Sequence, residues 1–210
     1  MDEEKRNDDI QKKLIWCFAD LIEKRDNTTG QHIKRTSAYV RILANELKER
    51  GIYNIDEEYV EKISSAAPLH DVGKIVISDA ILNKPGQLTE EEFEKMKEHT
   101  VAGKEMLDTI IQEVGDQDYL HFAYDMALNH HEKWDGSGYP QGIAGEDIPL
   151  SARIMAVADV FEALNTKRCY KEAYSYEQAF EIIQRSSGTH FDPVLVEVFL
   201  DKKEEIKRAG

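Results

Sequence analysis

Apolar residues recur along most of the chain at intervals of three and four positions, which is the period of an amphipathic α-helix. Two long stripes of this kind cover residues 10–25 and 30–49, and Gly51 supplies a stop signal after the second. The pattern breaks off between residues 133 and 149, where four glycines and two prolines interrupt it. A stretch of this length inside a compact domain predicts an organised, functional loop.

Side chains that accept hydrogen bonds from the first turn of a helix indicate where further helices begin. Thr89 and Glu92 have the spacing of a capping box, and Asp192 precedes a proline that suits the first helical position. The predicted helix starts are Asp56, Thr89, Ser151, Ser175 and Asp192. Strand signals are scarce, since the one β-rich run, Val72–Ile77, is interrupted by a glycine and a lysine. The sequence therefore predicts an all-α fold.

The 210-residue chain suits one domain, which we expect over residues 10–210 behind an acidic tail at 1–9. Its formal net charge of −14 excludes a uniformly basic surface for DNA or RNA. Apolar runs are shorter than the ~20 residues that span a bilayer, and the first residues lack the apolar core of a signal peptide. Two distant cysteines make no disulfide framework. We expect a cytoplasmic protein without a membrane or nucleic-acid partner.

Several acids and histidines occur in apolar surroundings. His70 and Asp71 follow a segment of small and apolar residues, and Asp159 lies in a helix that is apolar on nearly every face. A buried carboxylate needs a cation or hydrogen-bond donors, so either a metal or an ion pair with Arg or Lys would satisfy these acids. The adjacent His130 and His131 add imidazole, the commonest transition-metal ligand. Together these residues favour a metal centre.

A set of motifs in fixed order makes the chain similar to a known family. They are Arg25-Asp-x-x-Thr-Gly-x-His-Ile-x-Arg35, His70-Asp-Val-Gly-Lys74, Glu98-His-Thr100, His130-His-Glu-Lys-x-Asp-Gly-x-Gly-Tyr-Pro140, Ala158-Asp-Val-Phe161 and Gly188-Thr-His-Phe-Asp-Pro193. In this respect the chain resembles HD-GYP domains, a subclass of the HD phosphohydrolases that hydrolyse cyclic dinucleotides. The resemblance implies an HD-domain helical bundle with an organised Gly-Tyr-Pro loop.

The resemblance also implies a ligand set for two divalent first-row transition-metal ions, iron or manganese. Asp71 is the expected bridge, and a third ion is not expected because Thr28 occupies the position at which some relatives carry a glutamate. His121 and His190 match no ligand position. The implied ligands are His32, His70, Asp71, His99, His130, His131 and Asp159.

The implied reaction is hydrolysis of the phosphodiester bonds of cyclic di-GMP to pGpG, with further cleavage to GMP left open. Asp71 and Lys74 are the implied catalytic residues, and Lys74 is expected to contact the scissile phosphate or the nucleophile. Lys74, Tyr139, Arg168 and Lys171 are the implied substrate contacts. From composition alone, a solvated helix face is the better interpretation of Arg168 and Lys171. Their position in the family motif reverses this for Arg168 and leaves both interpretations open for Lys171. Glu162 stands where an aspartate is more usual, and we expect it to affect the shape of the pocket.

Two other functions stay open at this point. The substrate could be 3′,3′-cyclic GMP-AMP, because exchanging guanine for adenine alters only contacts at the base edges. The domain could instead be a catalytically weak module that binds the nucleotide and reports it to a protein partner in bacterial second-messenger signalling. The stripe at 10–25, enlarged by Trp16 and Phe18, predicts a homodimer, although packing on the domain's own core is an alternative.

Overall fold

The structure is a computed structural model and describes residues 2–26, 31–114, 118–167 and 173–210. Within these ranges there is no β-strand, so the all-α prediction is confirmed. Short 3-10 helices lie at Lys24–Asp26, Ala67–Leu69, Val72–Val76 and Gly145–Asp147. The α-helices are α1 (Asp2–Glu23), α2 (His32–Glu49), α3 (Glu57–Ala66), α4 (Asp79–Leu82), α5 (Glu90–Val114), α6 (Asp118–Asn129), α7 (Leu150–Asn165), α8 (Tyr176–Arg185), α9 (Pro193–Asp201) and α10 (Lys203–Ala209).

Most of the predicted helix starts are confirmed. The Asp56 carboxylate accepts a hydrogen bond from the Tyr59 amide at 2.7 Å, and Ser175 forms a capping box at the start of α8. Thr89 and Asp192 also accept hydrogen bonds from the first turns of their helices. The prediction for Ser151 is wrong, because α7 begins at Leu150 and Ser151 lies buried in its first turn.

The first segment of the chain differs from its expected form. Helix α1 begins at Asp2, so it continues through the segment that we predicted to be a tail. The β-rich run at 72–77 forms a 3-10 helix, Val72–Val76, that packs on α5.

The hydrophobic core lies around α7, which is buried on most of its surface between α2, α6 and α8. Phe161 of α7 is at its centre. Its ring meets Phe180 at a centroid distance of 4.6 Å, Phe199 at 5.0 Å and Tyr39 at 5.5 Å. This packing holds the inner face of α7, which carries Asp159, at a fixed distance from α2. No helix in the described part of the chain is both long and apolar enough to cross a membrane.

The turn that follows Asp71 packs directly against the backbone of α5. Gly73 makes this contact. A Cβ atom on Gly73 would lie 1.9 Å from the His99 carbonyl oxygen and 2.4 Å from the Gly103 amide nitrogen. Only glycine permits this approach. The residues just before Gly73 are thereby brought against the helix that carries His99.

The loop at 133–149 is organised, as predicted, by hydrogen bonds to the segment before α9 and to its own base. The amide of Trp134 donates to the His190 carbonyl at 3.0 Å. The Glu132 carboxylate accepts from the Gln141 amide at 2.6 Å. Beneath the loop, Arg153 donates to the Ile148 carbonyl at 2.9 Å and pairs with the Asp192 carboxylate at 2.6 Å. The Gly-Tyr-Pro segment is therefore held on a fixed base.

Candidate metal centre

The seven predicted ligands come from five separate parts of the chain and converge on one buried site. His32 begins α2, His70 and Asp71 lie between two 3-10 helices, His99 is in α5, His130 and His131 follow α6, and Asp159 is in α7.

The donor atoms fall into two groups that share Asp71. In the first group, Asp71, His99, His130 and His131 each offer an atom within 4.8 Å of the others. His32, His70 and Asp71 form the second group under the same limit. Asp159 adjoins this second group, because its Oδ1 lies 3.6 Å from His32 Nε2 and 3.9 Å from His70 Nε2. Two groups of donor atoms, each able to hold a metal ion, therefore share the Asp71 carboxylate.

Three imidazoles are oriented by main-chain carbonyls. Because a carbonyl oxygen can only accept, each Nδ1 must carry the proton, which leaves the Nε2 lone pair for another partner. Those Nε2 atoms, and that of His32, are buried without a hydrogen-bond partner. Unpartnered buried nitrogens pointing at carboxylates fit a bound cation. The pairs are His70 with the Ala67 oxygen at 2.9 Å, His99 with that of Met96 at 2.6 Å, and His130 with that of Met126 at 2.8 Å.

The imidazole of His32 is oriented by a side chain, that of Glu162, instead of a main-chain carbonyl. Glu162 Oε2 lies 2.6 Å from His32 Nδ1, and both side chains are buried. Thr166 donates to the other oxygen of Glu162 at 2.6 Å, and Arg35 lies 3.6 Å from it. Burial disfavours the charged imidazole, but the hydrogen bond to Glu162 and the charges of the surrounding carboxylates together outweigh it and raise the pKa of His32 to about 9. Glu162 therefore lies behind a predicted ligand rather than along the wall of a pocket.

The charges at the site suit a divalent cation. Burial opposes ionisation of Asp71, but Lys74 and His70 outweigh it and hold the pKa of the Asp71 carboxyl well below its ordinary value. The Lys74 ammonium lies 2.7 Å from Asp71 Oδ2. Burial lowers the pKa of His99 to about 4 and also lowers that of His131, so both are neutral at neutral pH. Ionised carboxylates and neutral imidazoles are the donors that first-row metals bind, so an ion bound to His32 would displace the proton that its raised pKa keeps on the ring.

Tyr139 of the Gly-Tyr-Pro segment lies against a predicted ligand. Its ring stacks on the His131 imidazole at a centroid distance of 4.8 Å and meets Phe93 edge-on at 6.0 Å. Burial raises the pKa of the Tyr139 phenol, so the hydroxyl stays protonated and can donate a hydrogen bond. Lys97, which the sequence analysis missed, places its ammonium 5.5 Å from the centre of the same ring.

Other predicted positions lie outside the described residues. They are Thr28, Arg168 and Lys171. A buried acid that no motif indicated, Glu23 at the end of α1, lies beside His32.

Comparisons with known proteins agree with this fold and site. A cyclic di-GMP phosphodiesterase of Vibrio cholerae serotype O1 is 49% identical over 193 residues, which are 91% of this chain and 39% of that protein. A cyclic di-GMP phosphodiesterase of Thermotoga maritima is 43% identical and is matched over 48% of its length. A 3′3′-cGAMP-specific phosphodiesterase of V. cholerae is 41% identical and is matched over 36%. The chain thus spans less than half of each of these relatives.

Two solved structures share the fold. One is a cyclic GMP-AMP-specific phosphodiesterase of V. cholerae, with a TM-score of 0.59 and 21% identity over 93% of this chain and 53% of that one. The other is an HDG"Y"P protein of Bdellovibrio bacteriovorus, with a TM-score of 0.61 and 17% identity over 84% of this chain and 54% of that one.

The chain also matches a family model described as "HD domain" over residues 17–195. This match covers most of the sequence and contains every predicted ligand. It confirms the resemblance that the motifs indicated, and the chain belongs to the HD domain family.

Proposed function

We propose that this domain is a metal-dependent phosphodiesterase that hydrolyses cyclic di-GMP to pGpG. The observation that carries the proposal is the pair of donor groups sharing the buried carboxylate of Asp71. Relatives named cyclic di-GMP phosphodiesterases at 43% and 49% identity support the choice of substrate. Further cleavage of pGpG to GMP is open in this proposal.

The proposed cofactor is two divalent first-row ions, iron or manganese. His32, His70, Asp71 and Asp159 would hold one, and Asp71, His99, His130 and His131 the other. Bound ions at such a site supply Lewis acidity, which lowers the pKa of water and offsets charge on phosphoryl oxygens.

Residues of the chain itself would bind and orient the phosphodiester. The Lys74 ammonium beside Asp71 provides a positive charge at the site of a protein whose net charge is −14. We assign Lys74 to the scissile phosphate or the nucleophile. Tyr139 is proposed as a hydrogen-bond donor to substrate, because its hydroxyl stays protonated. Arg168 and Lys171 remain proposed substrate contacts.

Variants at Asp71 and Lys74 test this function. Asp71→Ala should abolish cyclic di-GMP turnover and lower the metal content, because both donor groups lose a carboxylate. Lys74→Ala should lower turnover while metal is retained. Asp108→Ala is the matched control, since that acid pairs with Lys104 at the surface of α5. Full turnover by Asp71→Ala would refute the proposal, and a metal content near three ions per chain would refute the two-ion site.

A second candidate substrate is 3′,3′-cyclic GMP-AMP. It is favoured by the relative at 41% identity that is named a 3′3′-cGAMP-specific phosphodiesterase. Turnover of the two cyclic dinucleotides measured side by side decides between them. Binding of either nucleotide without hydrolysis by metal-loaded protein would instead indicate a signalling module that acts through a protein partner.

We also propose a homodimer that pairs through α1. Its exposed apolar residues Ile10, Leu14 and Leu21 and the exposed Cys17 follow the alternating four- and three-residue spacing of a coiled coil. Phe18, of which 63% is exposed, widens the same face. Light scattering should give twice the chain mass for the wild type and one chain mass for Leu14→Glu. A monomeric wild type would contradict the dimer.

The domain limits and the cellular location are also proposals. Limited proteolysis should remove residues 1–9 before it cuts the domain over 10–210. Early cleavage within α2 or α7 would contradict this division. The proposed cytoplasmic location is tested by fractionation of cells that produce the natural protein.

A further inference from the structure

We infer that Glu23 is an additional ligand of the ion held by His32 and Asp159. The inference rests on the two-ion site proposed above and extends it to a residue that no motif of the sequence indicated. It also predicts that the two ion positions differ in the metals they prefer.

The burial and the position of Glu23 point to the site. Glu23 is buried, with 4% of its surface exposed, whereas the other charged side chains described in α1 are not buried. Oε1 of Glu23 lies 4.0 Å from Nε2 of His32. Asp159 Oδ1 approaches the same nitrogen at 3.6 Å. Glu162 binds Nδ1 of His32, so Nε2 faces the site. The carboxylates of Glu23 and Asp159 both approach this Nε2.

These separations suit donors that share one ion. Two donors that each lie about 2.1 Å from an ion are at most about 4.2 Å apart. Both distances to His32 Nε2 fall within that limit. This nitrogen is buried and has no hydrogen-bond partner. A bound ion would serve as the shared partner of this nitrogen and of the two carboxylates beside it.

The end of α1 is fastened to the site, so the position of Glu23 is fixed. Two residues after it, Arg25 donates to the Ile75 carbonyl at 2.8 Å and to the Ile77 carbonyl at 3.1 Å. Asn83 donates back to the Arg25 carbonyl at 2.8 Å. Ile75 and Ile77, which Arg25 contacts, directly follow Lys74 in the chain. Glu23 is therefore anchored to the same turn as the catalytic lysine.

With Glu23 included, the two ion positions have unlike donors. One has the carboxylates of Glu23, Asp71 and Asp159 with two imidazoles, and the other has Asp71 with three imidazoles. Carboxylate-rich sites suit manganese or magnesium, whereas imidazole suits iron, nickel and zinc. We therefore expect manganese to depend on Glu23 at the first position and to be little affected by it at the second.

Titration of the metal-free protein with Mn²⁺, followed by electron paramagnetic resonance, tests this inference. In Glu23→Gln, the affinity of one Mn²⁺ position should fall about tenfold or more, while the other stays within about twofold of the wild type. Asp20→Asn is the matched control, because it removes the same charge from an acid of α1 that pairs with Lys24 at 2.6 Å on the surface. The control should bind Mn²⁺ like the wild type.

Two results would overturn the inference. One is Mn²⁺ affinity at both positions of Glu23→Gln within about twofold of the wild type, and the other is an equal loss in Asp20→Asn. Glu23→Asp, which withdraws the carboxylate by one methylene, should give an intermediate loss. It provides the same test if the glutamine variant does not fold.

Turnover measured in parallel separates this inference from the proposed function. Wild-type protein that binds Mn²⁺ but hydrolyses no cyclic dinucleotide would refute the proposed function, while the effect of Glu23→Gln on Mn²⁺ would still support the ligand. Normal turnover together with unchanged Mn²⁺ affinity in Glu23→Gln would refute the ligand alone.

Discussion

Replacing Glu162 by glutamine tests whether the residue behind His32 controls metal binding. The 2.6 Å hydrogen bond joins two buried side chains, so it forms between a carboxylate and an imidazole that are both removed from water. A hydrogen bond to a charged group contributes about 1.5–3 kcal/mol, against about 0.5–1.5 kcal/mol for a neutral pair. Glu162→Gln keeps the shape and loses the difference, about 1–1.5 kcal/mol, which is about a tenfold loss of affinity for the ion on His32 at a pH where the imidazole is neutral.

The assay compares Mn²⁺ affinity and the titration of His32 in metal-free protein. Nuclear magnetic resonance of the imidazole should show its pKa falling from about 9 towards its ordinary value in Glu162→Gln, because the acceptor has lost its charge. Thr166→Val is the control, since it removes the donor to the other Glu162 oxygen and leaves the bond to His32 in place. Its effect on Mn²⁺ affinity should be smaller.

An Mn²⁺ affinity of Glu162→Gln within about twofold of the wild type would refute a role for Glu162 in metal binding. Circular dichroism and thermal unfolding of the metal-free variants show whether any loss comes instead from misfolding. A pKa of His32 that stays near 9 in the variant would show that Glu162 is not the cause of the shift.

Three further predictions concern the scaffold around the site. Gly73→Ala should lower the free energy of unfolding by about 3 kcal/mol or more, measured by chemical denaturation, because the new Cβ would lie 1.9 Å from the His99 carbonyl oxygen. Burial lowers the pKa of His190 from 6.5 to about 4, so the unfolded chain binds a proton that the folded chain does not. As the pH falls from 6.5 to 4, wild-type stability should therefore drop by up to about 3 kcal/mol more than that of His190→Phe, and parallel pH curves would contradict this. Arg153→Leu should cost about 3–5 kcal/mol in thermal or chemical unfolding, because the buried Asp192 carboxylate loses its 2.6 Å partner.

Local signals in the sequence were sufficient to predict much of the fold. Asp56 and Ser175 bind amides three residues away, so their role depends on nothing beyond the adjacent chain. The prediction failed at Ser151, because Pro149 precedes the helix with an extended backbone and α7 starts directly after it. The start of α1 was also missed, since apolar periodicity begins only at Ile10.

The candidate site was predictable only as far as its motifs reach. The predicted ligands belong to those motifs, and the structure places them together. Glu162 and His32 are separated by 130 positions, and no periodic pattern joins them. Glu23 and Lys97 depend in the same way on where α1 and α5 pack. Contacts that depend on how distant helices pack cannot be predicted from the periodicity of a single sequence.

The way the imidazoles are held has a consequence for variation among related chains. Main-chain carbonyls orient His70, His99 and His130, so the partner of each Nδ1 is not a side chain that a substitution could exchange. His32 differs, because its second nitrogen meets a residue that one codon change can replace. Exchange at position 162 thus offers evolution, or a protein engineer, a means to adjust the electron density at one ion while every coordinating side chain stays the same.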